Sequence, residues 1–505
     1  MISEMDYKHI TAQGRSVELV ERQLELLSQP KSKMNQLAVA TLRNGIKQLS
    51  SAEQTLAIKL FRQQEKSNKW IKFIPASGAA SRMFAALYEY LEAKKNTDFD
   101  AAKFFNTPSG NAIKTLRANL KRFPFFSRVH GYMHTHQKTL AWTESNYFDT
   151  FIHVLLDENH LGFGKLPKAL IPFFTDEKGR EYTAFEAQLE EAITISPETL
   201  PIEVHFTISK EFQNAFKEQE AAFRNQLPKH IAKRLSIHYS YQHPLTDTPV
   251  VNHKNEFVRD AQGALLFRKG GHGALLDNLN RLSCDALWLK NIDNIQWGVA
   301  NEVAARWQEI LAGTLISLKA QIFEFLEDLD KNNSHAATEE MIHFIQNQFN
   351  PSFDPKEGTK TLHVLLKDYL NRPLRVCGMI KNKGAAGGGP FWEMSMRGKT
   401  LQIVEAVELD MELSKSKDLL AATTHFNPVM ICCSMSNRKG EKYNLLDFRD
   451  EKRYMIAQKN VGAQKIKILE WPGLWNGGMA HWNTVFLEMP SQTFAPVKSY
   501  IDLLR

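Results

Sequence analysis

Apolar residues recur along this chain in two rhythms. Val17, Leu19, Val20, Leu24, Leu26 and Leu27 fall at helical spacing among polar neighbours, so residues 1 to about 68 are expected to form a helical extension. Trp70 to Pro75 is then an apolar-rich run, short enough for a buried strand. The small residues from Ala76 to Ser81 turn it into a helix heading for Lys94. Residues 96–160 are aromatic-rich and partly helical. Strands are expected again at Ile202 to Ile208, Leu235 to Tyr241 and residues 285–291, with helices at 210–227 and 274–282 between them. Such alternation favours a mostly parallel sheet covered on both faces. Residues 301–330, 337–349 and 359–371 read as helical. From Leu374 onwards the chain is strand-rich, with runs at Leu374 to Ile380, Leu401 to Val407, Val429 to Ser434, Ile466 to Glu470 and Thr484 to Glu488. The expected design is an α/β domain over 69–505, carrying helical insertions near 96–160 and 301–371.

Composition narrows the function classes. The 505 residues are 43% hydrophobic and 24% charged, which suits a packed globular protein. A net charge of +7 fits an anionic small ligand, and its scattered distribution argues against nucleic acid. Cys284, Cys377, Cys432 and Cys433 lie in or beside apolar segments without a CxxC pair, so buried reduced thiols are expected. No apolar run reaches membrane-span length and no secretory pattern opens the chain, so a cytoplasmic protein is expected, monomeric or weakly oligomeric. His130, His134 and His136 lack the HExxH arrangement of a zinc site, and no Walker phosphate loop or Gly-x-Ser-x-Gly elbow occurs.

Two motifs carry most of the chemistry. Gly270-Gly271-His272-Gly273 opens a helix, and such a turn can hold backbone N–H groups against an anionic or heterocyclic ligand. About twenty residues later Asn291-Ile292-Asp293-Asn294 closes a buried strand. Asp293 thus sits where open α/β sheets bind ligands. Further candidates follow in order along the chain. Ser77, Gly78, Ser81 and Arg82 form a tight turn suited to phosphates. Leu166-Pro167-Lys168 supplies a lysine. Gln242, in Ser240-Tyr241-Gln242-His243-Pro244, offers both a donor and an acceptor to a base edge. Asp247 reads as local turn chemistry. Lys381 precedes the Gly384-to-Gly389 segment. Glu405 ends Ile403-Val404-Glu405, Asn427 follows His425-Phe426, and Lys498 lies in Phe494-Ala495-Pro496-Val497-Lys498. Trp471 to Gly478 forms a Gly-rich loop whose Trp475 and Asn476 could stack on a sugar, although packing is the commoner use of loop aromatics.

Taken together, these motifs resemble, in order along residues 70–505, the nucleotidyltransferases that make nucleotide sugars, particularly the UDP-sugar pyrophosphorylases. The whole chain also resembles a bacterial family common in Bacteroidetes that looks like a divergent branch of that fold. The chain departs from the pattern in two places. Ala79 and Ala80 replace expected glycines, and about eighty residues separate the Ser77–Arg82 loop from Pro167-Lys168. The resemblance implies a Rossmann-like nucleotidyltransferase fold, the nucleotide-diphospho-sugar transferase type, with a mixed, mostly parallel sheet. It implies that a sugar 1-phosphate is joined to a nucleoside triphosphate, UTP favoured, with release of pyrophosphate. Asp293 would bind Mg²⁺; Arg82, Lys168, Lys381 and Lys498 would hold phosphates. Gln242, Gly271, His272 and Gly273 would surround the base, and Glu405 and Asn427 would face the sugar. A nucleotide-sugar-binding protein without turnover, or a scaffold using the helical insertions, is the alternative.

Overall fold

The computed structural model describes residues 2–29, 34, 37–63, 69–198, 200–331, 335–356, 361–384, 387–395, 398–461 and 464–504. Nine strands run across its main sheet, numbered here within that sheet: β1 (Thr41–Leu42), β2 (Gly45–Lys47), β3 (Trp70–Pro75), β4 (Ile202–Thr207), β5 (Leu235–Ser240), β6 (Ala286–Lys290), β7 (Leu374–Lys381), β8 (Met430–Ser434) and β9 (Asn483–Glu488). Their spatial order is β1-β2-β9-β7-β8-β6-β3-β4-β5, with His425–Phe426 paired to β7 off this path. Only β8 runs antiparallel to its neighbours in this row. The mixed, mostly parallel sheet expected from the strand–helix alternation is therefore present.

Strand order places the binding edge. From β3 the chain winds outward through β4 to β5, then returns to β6 on the other side of β3. The direction of winding reverses between β3 and β6, and ligands of open α/β sheets bind outside the strand carboxyl ends at such a switch point. The loop after β3 begins at Ala76, and the loop after β6 carries Asp293.

Strict alternation along each strand builds two cores. Trp70, Trp288, Val376, Cys432 and Val485 face one side, where they pack under the 32-residue helix Val299–Asp330 and the helix Ser51–Arg62. Ile71, Phe73, Leu287, Leu289, Cys377, Cys433 and Phe486 face the other, against the short helix Leu275–Asn280 and loop residues such as Leu474 and Trp482. All four cysteines are free and buried. No helix among the described residues is long and apolar enough to cross a membrane.

The first 68 residues depart from the helical expectation. Helices Glu4–Ala12, Val17–Ser28 and Ser51–Arg62 do form, but β1 and β2 enter the main sheet and Leu37–Val39 joins a smaller one. Short segments such as Leu37-Ala38-Val39 and Gly45-Ile46-Lys47 join sheets through distant strands, Phe391–Glu393 and Phe486–Leu487 respectively, so local periodicity does not announce them. The helix Val299–Asp330, within the stretch read as a helical insertion, lies as a covering layer on the sheet. Residues 96–160 do form a chain of short helices, and their apolar faces join the core around Phe84, Leu87 and Tyr500.

One polar feature interrupts the first core. Lys72 of β3 and Lys290 of β6, both buried, meet the buried Glu191 of the helix Ala184–Ile195. Lys72 Nζ lies 2.6 Å from Glu191 and donates to the Gln188 carbonyl at 2.8 Å. Burial drives the Lys72 ammonium down to about 7, with Glu191 opposing that shift and Lys290 adding to it. Lys72 therefore opposes folding while it is charged, and its contribution makes stability rise with pH from about 7 towards the ordinary lysine value. Glu191→Gln would leave two buried ammonium groups facing no anion and should cost about 3–5 kcal/mol. Lys72→Met keeps one complete ion pair and should cost far less, with a flatter stability profile above pH 7. Chemical denaturation of both variants between pH 6 and pH 10 checks this ordering.

Candidate functional site

Asp293 follows β6 and is held by its own backbone. Gln188, from the helix Ala184–Ile195, donates its amide to the Asn291 carbonyl at 2.9 Å. On the other side Val497 N–H donates to the Asp293 carbonyl at 2.9 Å. Asn294 then ties two remote segments together. Its Nδ2 donates to the Pro428 carbonyl at 3.3 Å, and its Oδ1 accepts from Ala495 N–H at 3.0 Å. These bonds zip residues 495–498 along the end of β6 and so deliver Lys498.

Two lysines converge on one oxygen. Lys168 Nζ and Lys498 Nζ each lie 3.0 Å from Asp293 Oδ2. Lys168 also donates to the Val497 carbonyl at 3.0 Å. Burial alone would raise the Asp293 carboxyl, but the two ammonium groups hold it below its ordinary value. It therefore stays ionised at neutral pH. Its stabilising contribution would be lost only as pH falls below the usual aspartate range. Two cations on one carboxylate leave an excess of one positive charge at the binding edge. The Lys168 and Asp293 side chains are 15% and 12% exposed, whereas Lys498 is 59% exposed and so the freer of the two lysines to turn towards a ligand.

The departure between the Ser77–Arg82 loop and Pro167-Lys168 closes in space. Lys168 N–H donates to the Gly78 carbonyl at 2.9 Å, and Ala80 N–H donates to the Leu166 carbonyl at 2.9 Å. Ala79 and Pro167 form a β-bridge. The intervening helices loop out and return the lysine to the β3 turn. Ser77 is half-buried there, while Gly78, Ser81 and Arg82 are exposed. Among the described residues the Arg82 guanidinium makes no hydrogen bond or ion pair.

The glycine turn is packed by protein. Gly271 has φ +72°, and a Cβ there would lie 2.9 Å from the Glu470 carboxylate. At Gly273 a Cβ would stand 2.2 Å from the Pro472 carbonyl, and at Gly270 2.6 Å from the Trp471 ring. The turn needs glycine because the loop Trp471 to Gly478 lies directly against it. His272 accepts from Leu474 N–H through Nδ1 at 3.2 Å and stacks on Trp475 with ring centroids 4.4 Å apart. Burial lowers the His272 imidazole, with Glu470 and Glu408 opposing, so the ring is neutral at pH 7 and carries its proton on Nε2.

The remaining candidates divide into those near this loop and those apart from it. Glu405 lies within hydrogen-bonding reach of Trp475 and Asn476, while burial and then Glu408 push its carboxyl up. Trp475 is itself anchored, its carbonyl accepting from the fully buried Arg375 at 2.6 Å. Sequence weighed sugar stacking against packing for Trp475 without counting it among the site residues, and clustered Trp, Asn and Gly in one loop was the available signal. Asn427 is buried, and its amide is engaged by backbone. Nδ2 donates to the Gly378 carbonyl at 2.7 Å and Oδ1 accepts from Val429 N–H at 3.0 Å. In this arrangement it buttresses the β7–β8 junction, and both ends of its amide are turned to protein rather than to a sugar. Residues 385 and 386 of the Gly-rich segment lie outside the described residues. Lys381, at the exposed end of β7, lines a separate cleft of 710 Å³ with Lys383, Glu488 and Gln492. Gln242 follows β5, and its Nε2 donates to Asp247 Oδ1 at 3.0 Å.

Among the described residues no group of three or more His, Cys, Asp or Glu side chains could hold a metal ion. A single carboxylate beside a phosphate site still suits Mg²⁺, which is usually held by one or two carboxylates plus substrate phosphates and water. Asp293 fits that role, since Oδ1 makes no hydrogen bond among the described residues.

The family model described as "Domain of unknown function (DUF4301)" matches residues 3–505, and the chain belongs to that family. No curated protein matches it. Among solved structures it is similar to the uridine diphosphate N-acetylglucosamine pyrophosphorylase of Trypanosoma brucei, with 11% identity and a TM-score of 0.48, covering 100% of this chain and 79% of that one. It is also similar to a mutant UDP-glucose pyrophosphorylase of Leishmania major in complex with UDP-glucose, with 11% identity and a TM-score of 0.46, covering 100% and 80%.

Gly273→Ala should cost about 1–3 kcal/mol through its clash with the Pro472 carbonyl. Gly78→Ala meets nothing within 4 Å and should stay within about 0.5 kcal/mol of wild type. Thermal and denaturant unfolding of the two variants distinguishes them.

Proposed function

We propose that this member of the DUF4301 family joins a sugar 1-phosphate to a nucleoside triphosphate, UTP favoured, and releases pyrophosphate. The observation that carries the reading is the meeting of Lys168 and Lys498 on Asp293 Oδ2 at the switch point, beside the β3 turn. These three residues come from distant parts of the sequence, and each lies in a segment that resembles a nucleotidyltransferase motif.

In the reaction a phosphate oxygen of the sugar 1-phosphate attacks the α-phosphorus of the triphosphate. A P–O bond forms, the α–β anhydride bond breaks, and pyrophosphate leaves with the bonding electron pair. No covalent enzyme intermediate is required. The chain's task is to place two anions in line and to neutralise their charge. Lys168 and Lys498 exchange Asp293 for phosphate oxygens, which keeps each ammonium partnered before and after binding. Arg82, exposed and without a partner among the described residues, adds a further cation at the β3 turn. Asp293 and the substrate phosphates would hold Mg²⁺, whose chemistry there is charge neutralisation. Gln242 and the glycine turn lie on the nucleoside side. Glu405, beside Trp475, lies on the sugar side. Lys381 lies in its own cleft on the same sheet edge, where it would meet the phosphate of the incoming sugar.

Pyrophosphate release, measured with Mg²⁺ across four nucleoside triphosphates and a panel of sugar 1-phosphates, tests the proposal. Release should require one triphosphate and one sugar phosphate together. Asp293→Ala should abolish it while largely preserving nucleotide binding. Lys168→Ala and Lys498→Ala should each lower kcat/KM by about 10²–10³-fold, as removal of one preorganised charge donor typically does. Nucleotide binding without release for any pair would point instead to a binding protein.

A further inference from the structure

The N-terminal helical pair reaches the nucleoside side of the site through one arginine. Arg15 sits between the helices Glu4–Ala12 and Val17–Ser28, with its side chain only 8% exposed. Its Nη1 donates to the Asp247 carbonyl at 3.1 Å, and its Nη2 lies 3.9 Å from Asp247 Oδ2. The guanidinium also lies over the Phe267 ring at 4.1 Å, three residues before Gly270. Asp247 uses its other oxygen, Oδ1, to accept from Gln242 Nε2 at 3.0 Å. Arg15, Asp247 and Gln242 thus form a line from the N-terminal helices to the end of β5.

The loop that contains Asp247 is clamped from both sides. Trp471 Nε1 donates to the Thr246 carbonyl at 2.7 Å, and Trp471 N–H donates to the Gly270 carbonyl at 2.9 Å. Beneath it, Asn278 donates to the Tyr241 carbonyl at 2.8 Å. The helix that carries Arg15's neighbours is itself fixed, since Arg259 pairs with Asp6 through both guanidinium nitrogens at 2.7 and 3.0 Å. Asp247 is therefore more than the turn residue that sequence suggested.

We propose that Arg15 and Asp247 are positioning residues that lock the orientation of the Gln242 amide and thereby set base selectivity. A carboxylate only accepts hydrogen bonds, so Asp247 binds the NH₂ end of Gln242 and never its carbonyl end. The amide is denied its flip, and Oε1 is turned away from Asp247 as a fixed acceptor. Uracil offers an N–H donor at its N3 edge, where cytosine offers an acceptor. A free amide can turn to serve either base, whereas a locked one serves the donor. Arg15, by holding both the carbonyl and the carboxylate of Asp247, keeps the lock in register. This inference rests on the reading of Gln242 as a base contact.

Equilibrium binding of UTP and CTP to the full chain, with Mg²⁺, tests it in wild type, Asp247→Asn and Arg15→Gln. An asparagine can face Gln242 with either end of its own amide, so Asp247→Asn releases the flip without removing bulk. Wild type should prefer UTP. Asp247→Asn should reduce the UTP:CTP affinity ratio by about tenfold, the size of one selective hydrogen bond. Arg15→Gln should reduce it less and in the same direction, and it carries the test if Asp247→Asn does not fold. Equal weakening of both nucleotides, or an unchanged ratio, would overturn the lock while leaving the nucleotide site in place. A wild type that binds UTP and CTP equally would do the same. A wild type that binds neither would overturn the site reading itself, and the lock with it.

Discussion

The site turns on one carboxylate oxygen that serves two ammonium groups. Asp293 Oδ2 accepts from Lys168 and Lys498, and no other described group shares that load. An ion pair at a surface would contribute little, but this one is largely withdrawn from water on the Asp293 and Lys168 side. The three residues are distant in sequence, so the cluster joins the Pro167–Lys168 turn beside the first loop to the end of the sixth strand and the C-terminal segment. It also leaves one uncompensated positive charge facing outward. That excess makes an anionic ligand the natural completion of the site.

Everything behind Asp293 serves to hold it still. The helix Ala184–Ile195 supplies Gln188 to the Asn291 carbonyl and, one turn later, Glu191 to Lys72 and Lys290. The same helix therefore pins both the loop that carries the site and the two strands flanking the switch point. Buried charge is a costly way to join strands to a helix. Here the ion pairs tie both β3 and β6 to one helix.

Much of the architecture was legible in the sequence, and the rest was hidden for identifiable reasons. Trp70 to Pro75 and Ala286 to Lys290 are largely buried on both faces, so their apolar-rich runs announce strands although each carries one lysine. Asp293 was legible because a strand end dictates its location. The relation of Lys168 to Gly78 was harder to see, since the helices of residues 96–160 separate them in sequence and only the β-bridge at Ala79 and Pro167 rejoins them. β1 and β2 were missed because two- and three-residue strands carry no period of their own. The glycine turn was legible as a motif, but the packing of Trp471 and Pro472 against it, which requires the glycines, was not. Asn427 illustrates the same difficulty. A motif places a residue in a neighbourhood, but only the surrounding hydrogen bonds decide which way its side chain faces. Asp247 and Arg15 lie 232 residues apart, and no local pattern links them.

The most direct test of the central claim is a crystal structure of the protein grown with UTP and Mg²⁺. The account predicts triphosphate oxygens within hydrogen-bonding distance of both Lys168 and Lys498, with Asp293 released from at least one of them and the base beside Gln242. A triphosphate bound elsewhere, with both lysines still on Asp293 Oδ2, would contradict it.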